Sequence, residues 1–112
     1  MELKNYQAKG RIWLETEQDH QLSPGRQKLI LAIKEFGFIS KVVKKMKISY
    51  RHAWEIINEL NASSNLPIVE KNSSGSGGGG SKLTESGETL LKQYEQCQNE
   101  FEAFKSELNK VE

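Results

Sequence analysis

The chain has 112 residues, is 36% hydrophobic and 28% charged, and carries a net charge of +1, which fits one globular domain and excludes a disordered or fibrous chain. At this length roughly two-thirds of the extended surface can be buried, enough for one modest core without covalent staples. Its one cysteine, Cys97, excludes an intrachain disulfide and points to a reducing compartment, no apolar run approaches the ~20 residues of a membrane span, and Met1-Glu2-Leu3-Lys4-Asn5 lacks the layout of a signal peptide.

In chain order, Lys9 to Leu22 reads as a β-hairpin, with β-formers over Arg11 to Thr16 and a turn at Gln18-Asp19-His20. Ser23 is a good N-cap and Pro24 suits the first helical position, because it has no N–H to leave unpaired. Leu29, Ile30, Ile33 and Phe36 then recur at helical spacing, and Gly37 ends that helix in the left-handed region. Ser40 is expected to cap a second helix of about two turns, Lys41 to Met46, with Lys47-Ile48 as a tight break. Ser49 caps a third helix, in which Ala53, Ile57 and Leu60 form an apolar stripe widened by Ile56. Two short helices joined by a turn of about three residues define a helix-turn-helix layout.

Pro67 to Lys71 reads as a strand, with Lys82 to Thr84 as its antiparallel partner. Between them, Asn72 to Ser81 is nearly all Ser and Gly and reads as a flexible wing, although the same composition suits a linker. Thr84 caps the last helix, but Gly87 stands where a capping box would place Glu, leaving Glu85 and Glu88 to suit the helix N-terminus. Leu90, Tyr94, Cys97, Phe101, Phe104, Leu108 and Val111 follow at alternating gaps of four and three, a heptad stripe over about three heptads. That stripe is too long to pack on so small a body. A second copy of the same helix explains it economically, the alternative being a long helix lying on its own core. The expected organisation is a winged unit over 1–83, with its wing loop at 72–81, and a dimerisation helix over 84–112.

Charge is unevenly placed. From Ser23 to Ala62 there are eight bases against three acids; from Thr84 to Glu112 there are three bases against seven acids. A basic middle and an acidic end suit different partners. Catalysis finds no support: His20 and His52 are far apart, there is no Cys-x-x-Cys or His-x-x-x-His spacing for a metal, and the glycine run lacks the Gly-Lys-Ser/Thr ending of a nucleotide loop. No cofactor is expected.

Taken in order, Leu22-Ser23-Pro24-Gly25-Arg26, Ile48-Ser49-Tyr50-Arg51-His52-Ala53-Trp54, Pro67-Ile68-Val69-Glu70, the glycine run and Leu83-Thr84-Glu85-Ser86-Gly87 resemble the N-terminal DNA-binding domain of the ModE-type molybdate-responsive regulators. The resemblance implies a mainly α winged helix-turn-helix with a small β component, a dimer, and a role in transcription at the bacterial nucleoid. Three departures matter. The oxyanion-binding domains of full-length members have no counterpart in this sequence, so molybdate binding is not expected in this chain. Lys47 stands where the turn usually holds Gly, and Ser74-Gly75-Ser76 replaces a Gly-Gly-basic wing opening.

For base reading the candidates are Ser49, Tyr50, Arg51, His52 and Glu55, off the apolar stripe at the start of the third helix. Arg51 suits a bidentate contact to guanine, and Glu55 either accepts from cytosine or orients Arg51 from four residues away. Tyr50 reaches a phosphate or packs; Trp54 is assigned mainly to packing. Arg26, Lys41, Lys44, Lys45, Lys71 and Lys82 are the phosphate and wing candidates. Leu90, Tyr94, Cys97, Phe101, Phe104 and Leu108 are the expected dimer interface. The leading expectation is a dimeric sequence-specific regulator bound to double-stranded DNA; a winged-helix protein–protein assembly module working through its heptad helix is the alternative.

Overall fold

A computed structural model describes residues 5–72 and 80–110; most of the glycine run and Val111 lie outside them. The elements follow as β1 (Leu14–Glu15), β2 (Gln21–Leu22), α1 (Pro24–Phe36), α2 (Ile39–Met46), α3 (Tyr50–Ala62), β3 (Val69–Asn72), β4 (Gly80–Leu83) and α4 (Glu85–Leu108). β1 pairs antiparallel with β2 and β3 with β4, giving a two-stranded ribbon at each end of the helical trio.

The caps of α1 follow the sequence. Ser23 Oγ accepts from Arg26 N–H, Pro24 opens the helix, and Gly37 closes it at φ 74° with its N–H donated to Ile33 O. The start of α2 differs from expectation. Ser40 lies inside the helix, and Phe38 occupies the cap position with no side-chain hydrogen bond. Ile39 is buried, and burying it one residue ahead of Ser40 draws the helix start forward; packing overrides the cap preference. Lys47 ends α2 in the left-handed region at φ 59°, ψ 44°, and Ser49 caps α3 through His52 N–H.

One core joins these elements. Leu29, Ile30 and Ile33 of α1, Val42 of α2, Ala53, Ile57 and Leu60 of α3, Ile68 and Val69 beside the wing, and Leu91 and Tyr94 of α4 are all buried in it. Gly87 explains the defective capping box. Thr84 Oγ1 accepts from Gly87 N–H and itself donates to the Pro67 and Ile68 carbonyls. A Cβ at Gly87 would collide with Ile68 O and come within 2.7 Å of Leu83. Glycine stands there so that the start of α4 can press against the wing.

The strand expected over Arg11 to Thr16 shrinks to Leu14–Glu15. Upstream, the backbone finds its partners on α4 instead. Ala8 makes a reciprocal pair with the Asn109 amide at 2.7 and 3.0 Å, Gly10 O accepts from Lys105 Nζ, and Ile12 O accepts from the Tyr94 hydroxyl at 2.7 Å. Backbone groups already satisfied by helix side chains need no strand partner.

Candidate nucleic-acid interface

α3 is held by one face and presents the other. Ala53, Ile57 and Leu60 are buried, while Ser49, Tyr50, Arg51, His52 and Glu55 are exposed around its N-terminal end. The Arg51 side chain is 90% exposed, and its Nε donates to Glu55 Oε1 at 3.1 Å. The His52 Nδ1 lies 3.8 Å from the other Glu55 oxygen. Glu55 thus accepts a hydrogen bond from Arg51 while its own side chain stays 59% exposed. Because it takes Nε, the two terminal nitrogens of Arg51 remain as a fork, the geometry that matches two acceptors on one base edge.

Tyr50 and Trp54 meet edge to face, with ring centroids 6.3 Å apart. Trp54 is partly buried, and the Lys71 ammonium lies 4.6 Å above its ring. This contact, absent from the sequence reading, ties the wing to the helix beside it. Asn61 is a second unforeseen tie. Its amide donates to Val69 O and accepts from the Ile68 and Val69 N–H groups at 2.8–3.0 Å. The wing is also fixed from α1, where Gly37 O accepts from Ser81 N–H at 2.6 Å. A polar residue late in a helix carries no local signal that it caps a strand eight residues on.

The expected phosphate ligands divide. Lys41, Lys44 and Lys45 are exposed along α2, and no carboxylate among the described residues pairs with them. Lys82 is paired with Glu70 across the wing strands at 3.4 Å. Arg26, another phosphate candidate, is engaged within the protein. It makes a two-pronged pair with Glu59 at 2.9 Å on both prongs, donates to Gln21 O, and is only 23% exposed. The hydrogen bond from Arg26 holds the Glu59 carboxyl below the usual carboxylate range, overcoming the opposing effect of burial. Arg26 braces α1 against α3.

The heptad stripe divides as well. Tyr94, expected at the dimer face, is fully buried in the core of the chain itself. Phe101 is half-buried against Gly10. Leu90, Cys97 and Leu108 are partly exposed, and Phe104 is 58% exposed.

Two short helices with a three-residue turn, an exposed N-terminal end on the second, and a two-stranded wing braced against it define a winged helix-turn-helix. The chain carries a ModE-type domain. It is 38% identical over 89 residues to the transcriptional regulator ModE of Yersinia pestis, an alignment covering 80% of this chain and 34% of that protein. It is similarly 38% identical over 89 residues to the DNA-binding transcriptional dual regulator ModE of Escherichia coli K12, again over 80% of this chain and 34% of that protein. With the molybdenum transport protein ModE of Azotobacter vinelandii the identity is 31% over 93 residues, 83% of this chain and 34% of that one. The chain thus spans about a third of the length of these relatives. No family model matches it.

Proposed function

We propose that this chain binds double-stranded DNA as a homodimeric, sequence-specific transcriptional regulator in the cytoplasm, reading the major groove with the N-terminal turn of α3. The observation that carries the reading is the Arg51 fork, presented on an exposed turn of a helix whose opposite face is locked in the core. Lys41, Lys44 and Lys45, exposed on the preceding helix α2 and without carboxylate partners among the described residues, supply the phosphate contacts. Lys71, resting on Trp54, is the wing's contribution. The activity of the ModE relatives as transcriptional regulators supports the same reading.

Selection of bound duplexes from a random pool, followed by anisotropy titrations on the selected site, tests it. Arg51→Ala weakens the selected site by about 1–3 kcal/mol and relaxes preference at one base pair. Lys44→Ala weakens all sequences alike and lowers the slope of log affinity against log salt by about one. A pool that yields no enriched motif at low salt overturns the proposal.

A further inference from the structure

The sequence supplies the wing with few cations. From Glu70 to Leu83 the bases are Lys71 and Lys82, and the Ser/Gly stretch from Asn72 to Ser81 contains neither lysine nor arginine. Lys82 is paired with Glu70 across the strands at 3.4 Å. No carboxylate among the described residues pairs with Lys71; its ammonium lies instead 4.6 Å above the Trp54 ring. Among the described residues, the wing's one cation without a carboxylate is therefore Lys71, and an indole of α3 lies beneath it.

Both sides of this contact are held. In the wing, Lys71 lies opposite Ser81, and Glu70 opposite Lys82. Side chains alternate along a strand, so Lys71 shares the face of buried Val69 and the Glu70–Lys82 pair takes the other. Asn61 grips Val69 by both its carbonyl and its N–H, and Gly37 O accepts from Ser81 N–H. On α3, Trp54 packs against the core, and Tyr50, one turn back, meets it edge to face at 6.3 Å. Arg51 stands three residues before Trp54, on an adjoining row of the same helix. The indole thus places Lys71 in the frame of the element that carries Arg51. Lysine has a flexible four-carbon stem and an ammonium with three donors. A ring face beneath the ammonium restricts the stem and leaves the outward N–H groups for a phosphate oxygen. A charge held in place beforehand loses less freedom when it meets that oxygen.

We propose that Trp54 is a positioning residue for DNA binding: its indole face holds the Lys71 ammonium where the wing meets the phosphate backbone, while the ring itself does not touch the duplex. This rests on the DNA-binding reading above and extends it to a residue that acts through another. Arg51 and Trp54 then have separate roles on one helix. Arg51 discriminates between sequences, and Trp54, through Lys71, strengthens binding to all of them alike. The role needs a π face and not only apolar volume. Leucine fills the site without a face; phenylalanine fills it and keeps one.

Anisotropy titrations of the full chain on its selected duplex, over a range of salt, test it. Lys71→Met removes one phosphate contact, which lowers the slope of log affinity against log salt by about one and weakens binding about fivefold at roughly 0.15 M salt. Trp54→Leu produces the same loss, and Trp54→Phe recovers most of it. The double variant, Trp54→Leu with Lys71→Met, binds no more weakly than either single one. Additive losses, or an unchanged slope in Lys71→Met, overturn the proposal while DNA binding by the parent stands. A parent that binds no duplex overturns the DNA-binding reading and the proposal together. The contact also has a readout that needs no DNA. Trp13 and Trp54 are the two tryptophans, and Trp13 is 50% exposed, so Trp13→Phe leaves Trp54 as the one indole emitter. An ammonium against an indole face quenches its emission, so Lys71→Met in that background raises the Trp54 fluorescence; unchanged emission overturns the contact. Both readouts on Lys71→Met leave the packing of Trp54 intact and decide the matter even where Trp54→Leu does not fold.

Discussion

At the scale of single residues, position in the chain and charge do not decide what an arginine does. Arg26 and Arg51 are both basic residues near helix starts. Arg26 meets a carboxylate that approaches across the core edge from α3, whereas the partner of Arg51 sits on its own helix and leaves the fork open. Arg26→Ala therefore costs about 1 kcal/mol of stability, the low end for a two-pronged pair that is partly exposed, and leaves the salt slope of DNA binding unchanged. The pH dependence has a definite sign. Glu59 has a lowered carboxyl pKa in the folded chain, so its contribution is present above the ordinary carboxylate value and is lost as pH falls through the folded one. The stability gap between parent and Arg26→Ala, measured by guanidinium unfolding, accordingly closes below about pH 4. A reduced salt slope in Arg26→Ala would return this residue to the phosphate ligands.

At the scale of elements, two backbone positions set the helix-turn-helix and its wing. Lys47 holds a left-handed conformation that a Cβ disfavours. Lys47→Gly raises stability by up to about 1 kcal/mol, offset in part by the freer unfolded chain, with the denaturant m-value unchanged. Gly87 is the opposite case. Gly87→Ala drives a methyl into the Ile68 carbonyl and Leu83, and lowers stability by about 1–3 kcal/mol. Equal stability of parent and variant by the same unfolding measurement would mean that α4 does not press on the wing as described. The caps at Ser23, Ser49 and Thr84 and the closing Gly37 were legible because each acts within four residues of itself. The start of α2 was not, because burial of Ile39 against distant elements outweighs the local preference of Ser40.

At the scale of the whole molecule, α4 belongs to two environments. Its first half closes the core, and its second half is covered on one side by the N-terminal segment. Tyr94 lies between them, buried and donating to Ile12 O. Tyr94→Phe keeps the ring and loses that hydrogen bond, for about 1 kcal/mol. Burial raises the Tyr94 phenol above its ordinary value. Its contribution is therefore intact below about pH 10 and is lost as pH rises through the folded value. Parent and Tyr94→Phe thus converge in stability in alkali, measured by circular dichroism; a gap that stays constant with pH would contradict the assignment.

The helix spacing, the caps of α1, α3 and α4, and the turn at Lys47 were written in local sequence. They depend on periodicity, hydrogen bonds and backbone preferences that reach no further than a turn or two. The heptad stripe was equally visible, but periodicity reports only that a face is apolar, not what covers it. Packing alone decided that Tyr94 faces its own core and that Leu90, Cys97 and Phe104 remain at the surface. The same holds for Arg26 and Glu59, Asn61 and the wing, and Lys71 above Trp54. Each joins residues brought together by the fold, so neither partner carries a mark of the other in its own neighbourhood.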